Sequence, residues 1–268
     1  MDILFASSEA HPLVKTGGLA DVSGSLPRAI KNAKQEIRLI VPGYRAAVAA
    51  AGSLKAVAEL VLPGAGSPVR ILQGSLPQTR VRLYLVDAPE YFDRPGGPYS
   101  TPEGEDWPDN AARFALFGRA VCEIAMGRAG LDWTPDLVHC NDWQTGLVPA
   151  LLSREAEPPA SIFTIHNLAY QGLFSRTQFQ ALDLPPQWWS MNALEFHDQM
   201  SFIKGGLIFS DWITTVSPTY AREIQTAEFG CGLEGLLKQH SARLTGILNG
   251  VDYQVWNPGR DRLIPHPY

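Results

Sequence analysis

The chain has 268 residues, of which 45% are hydrophobic and 18% are charged, and these proportions are typical of a soluble globular protein with a sizeable core. Its 22 basic and 27 acidic residues give a net charge of -5. This balance gives no support to binding of nucleic acid or of a membrane surface, since both need a basic patch. No apolar stretch approaches the roughly 20 residues of a membrane span, and the first residues do not resemble a signal peptide. The cysteines lack the spacing of a zinc site or a disulfide framework, which favours a reduced, cytoplasmic protein; they are Cys122, Cys140 and Cys231.

The chain begins with the order strand, loop and helix. Residues 3–6 form a short apolar run, and two adjacent glycines follow before a helical period starts. Pro27 lies inside this period, so we expect the helix to bend or break there. Apolar residues at spacings of three and four predict one buried helix face, formed by Leu19, Val22, Leu26 and Ile30.

A β-rich region comes next. Residues 37–41 predict a second strand, and a Pro-Gly pair ends it. Three further apolar or alternating runs predict strands of a β-rich insert, over 55–62, 69–74 and 81–86. The long segment 87–108 is dense in Pro, Gly, Tyr and Asp, and a loop of this length inside a compact domain is usually functional or mobile.

The second half repeats the cycle of strand and helix. A strong helix is predicted over 109–128, with Asp109 as its N-cap, and an aromatic-rich helical stretch is predicted after residue 166. The predicted strands cover 136–140, 161–166, 211–216 and 244–248, with a helix over 145–154. Buried strands separated by helices predict an α/β fold, a Rossmann-like parallel sheet with helices on both faces. Ligands bind such sheets beyond the carboxyl ends of the strands.

Gly17 and Gly18 directly precede the first predicted helix. Without side chains their backbone can approach a ligand closely, and the N–H groups of the first helical turn would face an anion. Lys15 adds a positive charge, so the loop suits a pyrophosphate. A plain chain reversal is the alternative, and the glycine spacing matches neither the dinucleotide fingerprint nor the P-loop.

Polar residues follow two predicted strands at the point where each strand ends. Asp142 and Trp143 would form the rim of the crevice, where an aromatic face beside a carboxylate suits a sugar. The alternative is that Asp142 caps a helix and Trp143 fills the core. His166 and Asn167 offer donors and acceptors to sugar hydroxyls, although a histidine at a strand end is often structural.

Two further segments are candidates for the same crevice. The loop over 91–99 is aromatic and contains glycines, so it could cover a bound sugar or serve only as a surface loop with aromatic anchors. The segment 246–252, which contains Asn249, is another strand end with polar residues and indicates little by itself.

Taken together, these motifs resemble bacterial glycogen synthases and plant starch synthases. The segments occur in that family's order and spacing and span essentially the whole chain: KTGGLADV, FDRPGGPY, DLVHCNDWQTGL, TIHNLAYQG, SPTYAREIQT with FGCGLEGLL, and GILNGVDYQVWNP. The resemblance implies the N-terminal half of a GT-B glycosyltransferase, in which two Rossmann-like domains face each other across a cleft. Residues 1–250 would form the acceptor-side domain, and 251–268 would lead to a C-terminal nucleotide-binding domain of the same protein.

The resemblance also implies an activity. The family transfers glucose from ADP-glucose to the non-reducing end of an α-1,4-glucan with retention, without a metal or another cofactor, and one half alone is expected to be inactive. Two alternatives stay open: a non-catalytic glucan-binding or regulatory module with the same fold, and a nucleotide-sugar transferase or epimerase of other specificity. The ordered motifs count against the second alternative.

The site residues implied by the resemblance belong to three groups. The histidine would lie beside the transferred glucose, the glycine loop would contact the donor phosphates, and the remaining residues would line the cleft. The catalytic group is His166 and Asp142; the donor-binding group is Lys15, Gly17, Gly18, Asp21, Tyr99 and Asn249; and the acceptor-binding group is Trp143 and Asn167.

Overall fold

The computed structural model describes residues 1–253 and 256–268. Within these residues strands alternate with helices, as the sequence predicts, and most predicted strands are confirmed with ends that differ by one or a few residues. The strands are β1 (Asp2–Ala6), β2 (Glu36–Pro42), β3 (Lys55–Leu60), β4 (Val69–Ser75), β5 (Arg82–Asp87), β6 (Leu137–Asn141), β7 (Ala160–Ile165), β8 (Leu173–Phe174), β9 (Glu195–Phe196), β10 (Gln199–Ser201), β11 (Trp212–Thr215) and β12 (Leu244–Gly246).

The helices differ widely in length, and the two longest follow the glycine loop and the loop over 87–108. Short 3-10 turns occur at Trp143–Thr145, Pro186–Trp188 and Ser241–Arg243. The α-helices are α1 (Gly18–Asn32), α2 (Arg45–Ala50), α3 (Pro89–Phe92), α4 (Asn110–Ala125), α5 (Leu147–Leu152), α6 (Arg176–Ala181), α7 (Phe202–Phe209), α8 (Pro218–Glu223) and α9 (Glu234–Gln239).

The main sheet has the strand order β12-β11-β7-β6-β1-β2-β5-β4-β3. From β12 to β5 the neighbouring strands are parallel, which confirms the predicted α/β fold. β4 and β3 are antiparallel at one edge, so the sheet is mixed, as is common in large sheets. The three strands predicted for a β-rich insert are therefore confirmed, but they belong to the main sheet, because β5 pairs with β2 and the hairpin of β3 and β4 extends the same sheet.

The central strands are buried along nearly their whole length. In β2 all residues except Glu36 are buried, and in β1 all except Asp2. Continuous burial is the pattern of a parallel strand that is covered on both faces, which explains the uninterrupted apolar runs of the sequence. These strands form the middle of the core and carry the loops of the candidate site at their ends.

Helix α1 differs from the prediction in two ways. It continues through Pro27, which is buried inside the helix, so of the predicted bend or break the break does not occur; packing against the sheet maintains the helix although proline cannot donate a hydrogen bond. The predicted apolar face is only partly buried. Val22, Leu26 and Ile30 line a cavity of about 590 Å³ with mostly apolar walls, which we call the apolar cavity.

Hydrogen bonds from two arginines connect the loop over 87–108 to α4 and its N-cap. Asp109 holds the N-cap position of α4, but its side chain makes no capping hydrogen bond, because both carboxylate oxygens accept from Arg94 at 2.8 and 2.7 Å. The prediction that Asp109 is the N-cap of α4 is thus confirmed in position, although its side chain pairs with Arg94 and does not cap the helix. Arg113, only 1% exposed, donates to the carbonyl oxygens of Tyr91 and Pro98 at 2.8 and 2.9 Å. These bonds place the end of the loop over the sheet edge.

The aromatic-rich stretch after β7 is only partly helical, so the prediction of a helical stretch is confirmed for α6 and α7 and is wrong for the residues around them. It contains a three-stranded antiparallel sheet in the order β8-β10-β9, with the short helix α6 between β8 and β9. The chain reverses between β9 and β10 at His197 and Asp198, whose φ angles are 49° and 63°. Two residues with positive φ suit a two-residue hairpin connection.

The carboxyl ends of β1, β6 and β7 lie side by side at one edge of the main sheet, because these strands are adjacent and parallel. Residues 7–9 follow β1, Asp142 follows β6, and His166 follows β7. The topology therefore brings the predicted polar strand ends to one place. The predicted linker over 251–268 contains no helix or strand in its described part, and its residues 254 and 255 lie outside the described ranges.

Gly146 allows the turn after β6 to lie directly on α7. A Cβ at this position would lie 1.9 Å from the carbonyl oxygen of Phe202, and that backbone cannot move without shifting the helix. We expect Gly146→Ala to lower the free energy of unfolding by about 3 kcal/mol or more, as severe overpacking does. Equilibrium urea unfolding followed by circular dichroism measures it.

Gly235→Ala is the matched control. Gly235 lies in α9, and a Cβ there meets nothing within 4 Å. We expect this variant to be unchanged or to gain up to about 1 kcal/mol from helix propensity. Equal unfolding midpoints for the two variants would contradict the close packing of the turn on α7.

Candidate active site

A cavity of about 720 Å³ opens at the carboxyl edge of the sheet, a volume that fits a small-molecule site. We call it the edge cavity. Its walls come from the ends of β1, β6 and β7, from the start of α1 and from the loop over 87–108. Eight of the ten predicted site residues line it, namely Gly17, Gly18, Tyr99, Asp142, Trp143, His166, Asn167 and Asn249.

Glu9, which sequence reasoning missed, is the central buried carboxylate of this cavity. It is 3% exposed. Its Oε2 accepts from the backbone N–H of Thr16 and, at 3.2 Å, from that of Gly17, and its Oε1 accepts from the Tyr99 hydroxyl at 2.5 Å. The first part of the glycine loop thus already has an anionic partner. The N–H groups of Gly18 and Leu19, in the first turn of α1, have no acceptor within the helix and remain for a ligand.

Tyr99 is held on two sides at the end of its loop. Its hydroxyl lies 2.7 Å from Ser8 Oγ as well as against Glu9. Burial raises the pKa of Tyr99 well above its usual value, and the charge of Glu9 adds to this shift. Tyr99 is therefore a neutral hydroxyl that donates to Glu9.

Asp142 joins the end of β6 to the end of β7. Its Oδ1 accepts from the backbone N–H of His166 at 2.7 Å and from that of Asn167 at 3.4 Å, and it makes no helix-capping hydrogen bond. The backbone of Asp142 has φ of 56°, a conformation that aspartate tolerates better than most residues. Burial raises the pKa of Asp142 to about 7, although the two N–H donors oppose this shift. Oδ2 accepts no hydrogen bond from the described residues, so it is the oxygen left for a ligand hydroxyl.

His166 is a neutral ring in the wall shared by the edge cavity and the apolar cavity. Burial lowers its pKa to about 4, and burial also lowers the pKa of the neighbouring His139 to about 3. Nε2 of His166 lies 2.9 Å from Asn141 Oδ1. At neutral pH the ring therefore acts through one donor and one acceptor nitrogen and not as a cation.

Trp143 is mostly core, as the alternative interpretation has it. It is 9% exposed and contacts four aromatic rings with centroid distances between 4.9 and 6.4 Å. One edge of the indole still reaches the edge cavity. The four rings are Tyr99, Phe114, Phe174 and Phe202.

Metal sites and membrane spans are both absent from the described ranges. Residues 1–253 and 256–268 contain no group of three or more His, Cys, Asp or Glu placed to hold a metal ion. In the same ranges no helix has the length and apolar character to cross a membrane.

Comparison with known proteins identifies the family. A family model described as the starch synthase catalytic domain matches residues 2–239. The chain belongs to this family. The chain is 59% identical to a glycogen synthase of Thioalkalivibrio sulfidiphilus, over 100% of the chain and 56% of that relative. It is 59% identical to glycogen synthase 2 of Nitrosococcus oceani, over 99% of the chain and 54% of the relative.

A solved structure agrees with this assignment. The catalytic domain of starch synthase IV from Arabidopsis thaliana, bound to ADP and acarbose, has a TM-score of 0.82 and 30% identity, and covers 100% of this chain and 55% of its own. The predicted resemblance and its glycosyltransferase family are thus confirmed. The chain spans about half the length of the curated relatives it matches.

Two of the predicted site residues, Lys15 and Asp21, do not line the edge cavity. Lys15 Nζ donates to both carboxylate oxygens of Asp21, at 2.8 and 2.7 Å, and the two side chains are 44% and 40% exposed. An exposed ion pair contributes about 0–1 kcal/mol. Lys15 can therefore leave Asp21 and pair with a ligand anion with little loss of stability.

Tyr170 is an exposed aromatic residue of the edge cavity. It is 66% exposed and lines the cavity beside Asn167, whose Oδ1 accepts from Ala169 N–H at 3.0 Å. The tight loop is possible because Gly172, with φ of 60°, lies against the Trp143 ring. Tyr170 offers the open aromatic face that the sequence assigned to Trp143.

Proposed function

We propose that the protein containing this chain transfers glucose from ADP-glucose to the non-reducing end of an α-1,4-glucan with retention, and that this chain forms the acceptor-side wall of the cleft. One observation carries the proposal: polar groups from three separate strand ends and the N-terminus of α1 converge on the edge cavity. Membership of the starch synthase family supports the reaction class. The opposite wall belongs to the C-terminal part of the longer protein.

The donor diphosphate is assigned to the start of α1. As the glycosidic bond to the phosphate breaks, negative charge develops on the leaving ADP. The free N–H groups of Gly18 and Leu19 and the cation of Lys15 stabilise this charge more in the transition state than in the ground state. Glu9 excludes the phosphate from the Thr16 side of the loop, because its carboxylate already holds those amides.

The sugar is assigned to the ends of β6 and β7. Asp142 Oδ2 accepts from a sugar hydroxyl, and His166 and Asn167 complete the polar contacts. Tyr170 supplies an apolar ring face for an acceptor glucose unit. The ADP and acarbose of the Arabidopsis structure support a nucleoside diphosphate and a saccharide as ligands of this cavity. A cytoplasmic location stays a prediction from composition.

The experiment is a transfer assay with the longer protein. Radiolabelled glucose from ADP-glucose is expected to appear in maltooligosaccharide, with ADP released and an α-configured product by proton NMR. Lys15→Gln is expected to lower kcat/KM for ADP-glucose about tenfold, mainly through kcat, which is the loss of one charge-assisted contact that strengthens in the transition state, and to leave the KM for maltooligosaccharide unchanged.

Lys238→Gln is the control, since Lys238 is exposed in α9 and lines neither cavity. Binding of maltooligosaccharide without any glucose transfer would replace the enzyme proposal by the glucan-binding module. Equal values of kcat/KM for ADP-glucose in the two lysine variants would remove Lys15 from the phosphate site.

A further inference from the structure

Asn141 is a fully buried amide at the end of β6, and its orientation is fixed by two carbonyl groups. Its Nδ2 donates to the carbonyl oxygen of Ala6 at 3.0 Å and to that of His139 at 3.3 Å. Carbonyl oxygens only accept hydrogen bonds, so the NH2 group must face them. The amide oxygen Oδ1 must then face the opposite side.

That opposite side is the ring of His166. Asn141 Oδ1 lies 2.9 Å from His166 Nε2, and since an amide oxygen cannot donate, Nε2 must carry the hydrogen. Burial lowers the pKa of His166 to about 4, which leaves one proton on the ring near neutral pH. Nδ1 is therefore a bare acceptor, and it has no partner within the described part of the chain.

His166 is held at two points, one on its backbone and one on its ring. Its backbone N–H donates to Asp142 at 2.7 Å, and its Nε2–H donates to Asn141. The neighbouring His139 does not compete for Asn141 Oδ1, because its Nε2 pairs with Thr164 Oγ1 at 2.6 Å. The orientation of the ring and the position of its proton thus depend on one amide.

We propose that Asn141 is a positioning residue: it fixes His166 in the Nε2–H tautomer and so presents Nδ1 as an acceptor. A ligand group that contacts Nδ1 must donate a hydrogen bond, so Nδ1 favours a hydroxyl group. A phosphate oxygen is disfavoured because its lone pair would repel the lone pair of Nδ1. This inference rests on the proposed function, because the hydroxyl is that of the bound sugar. Asn141 thereby orients the ligand through His166 without touching it.

The test measures the tautomer directly in the longer protein labelled with 15N-histidine. Long-range 1H–15N correlation spectra distinguish a protonated from an unprotonated ring nitrogen, and His166→Gln assigns the signals by removing them. In the wild type we expect Nε2 protonated and Nδ1 bare. A wild-type Nδ1–H tautomer would overturn the proposal, whether or not any variant folds.

Two substitutions of Asn141 add a kinetic readout. Asn141→Leu removes the acceptor, and we expect a mixed or reversed tautomer together with a kcat at least about tenfold lower, which corresponds to the loss of one positioned hydrogen bond. Asn141→Asp keeps an acceptor at Oδ1 when its buried carboxyl group is protonated, because the O–H can then donate to the carbonyl groups of Ala6 and His139, so we expect it to retain the Nε2–H tautomer and a kcat nearer to the wild type. Asn192→Leu, on an exposed loop outside both cavities, is the control.

The outcomes separate this inference from the proposed function. A wild type that transfers glucose but shows the Nδ1–H tautomer overturns the role of Asn141 alone. A wild type with the Nε2–H tautomer but without glucose transfer overturns the proposed function and leaves the role of Asn141 in fixing the ring supported. An Asn141→Leu variant with unchanged tautomer and kcat also overturns the inference.

Discussion

Replacing His166 by alanine in the longer protein is expected to lower kcat by about 100- to 1,000-fold, while the KM for ADP-glucose changes only a few-fold. The magnitude is that of removing one preorganised polar group from a transition state. The effect falls on kcat because a contact that strengthens as the sugar reacts contributes little to ground-state binding. Steady-state kinetics with varied ADP-glucose at saturating maltooligosaccharide measures both constants.

His197→Ala is the control for this prediction. His197 is exposed in the turn between β9 and β10 and lines neither cavity, so its removal is expected to leave both constants within twofold. Near-normal turnover of His166→Ala would remove His166 from the catalytic group. A raised KM with unchanged kcat would assign it to ground-state binding only.

The fold was predictable where burial dictates the apolar pattern. The strands from β6 to β12 of the main sheet follow apolar runs that end in polar residues, and the sequence placed each of them correctly. The role of β5 was missed although its continuous run Leu83–Val86 has the character of a buried parallel strand. What local sequence does not contain is the pairing of β5 with β2, across the intervening β3 and β4.

The small sheet was missed for a different reason. Its hairpin turns at His197 and Asp198 with positive φ, whereas the usual signals for such a turn are Asn and Gly. The strands it joins are only two and three residues long, too short to show alternation. The sequence analysis therefore predicted a single helical stretch, of which the structure confirms only the helices α6 and α7.

Most of the candidate site was predictable because polar residues that follow buried strands converge at one sheet edge. Glu9 was missed because its side-chain partner is distant in sequence, since Tyr99 lies 90 positions away, and because its other two partners are backbone N–H groups, which no residue pattern reveals. The pairing of Lys15 with Asp21 depends on how the glycine loop turns into α1, which no spacing rule encodes. The local motifs thus predicted most of the residues that line the site, whereas the hydrogen-bond partners of these residues are known only from the fold.

Asp142 is expected to make the stability of the protein depend on pH in an unusual direction. Burial raises its pKa to about 7 in the folded chain, from an ordinary value of 3.8. Below about pH 4 the group is protonated in both states. Between about pH 4 and 7 the unfolded chain releases the proton while the folded chain keeps it, so the free energy of unfolding falls as pH rises. Above about pH 7 this contribution is constant.

Asp142→Asn removes this titration and keeps an oxygen that can accept from the backbone N–H of His166. We therefore expect the difference in unfolding free energy between this variant and the wild type to shift in favour of the variant from pH 4 to pH 7, by about 4 kcal/mol at most. Urea unfolding at closely spaced pH values measures the two curves. Asp198→Asn is the control, since Asp198 is exposed, lines neither cavity and has a positive φ that asparagine also tolerates.

The same substitution separates the two oxygens of Asp142. An asparagine that keeps Oδ1 on the His166 amide preserves the junction of β6 and β7, but it places an NH2 group where Oδ2 accepts from a sugar hydroxyl. We expect Asp142→Asn to be as stable as the wild type at pH 4, more stable at pH 7 and poor in glucose transfer. This result would show that the buried carboxylate of Asp142 serves ligand binding and not stability. If the unfolding free energies of Asp142→Asn and the wild type ran parallel over this pH range, burial would not raise the pKa of Asp142, and the prediction would be contradicted.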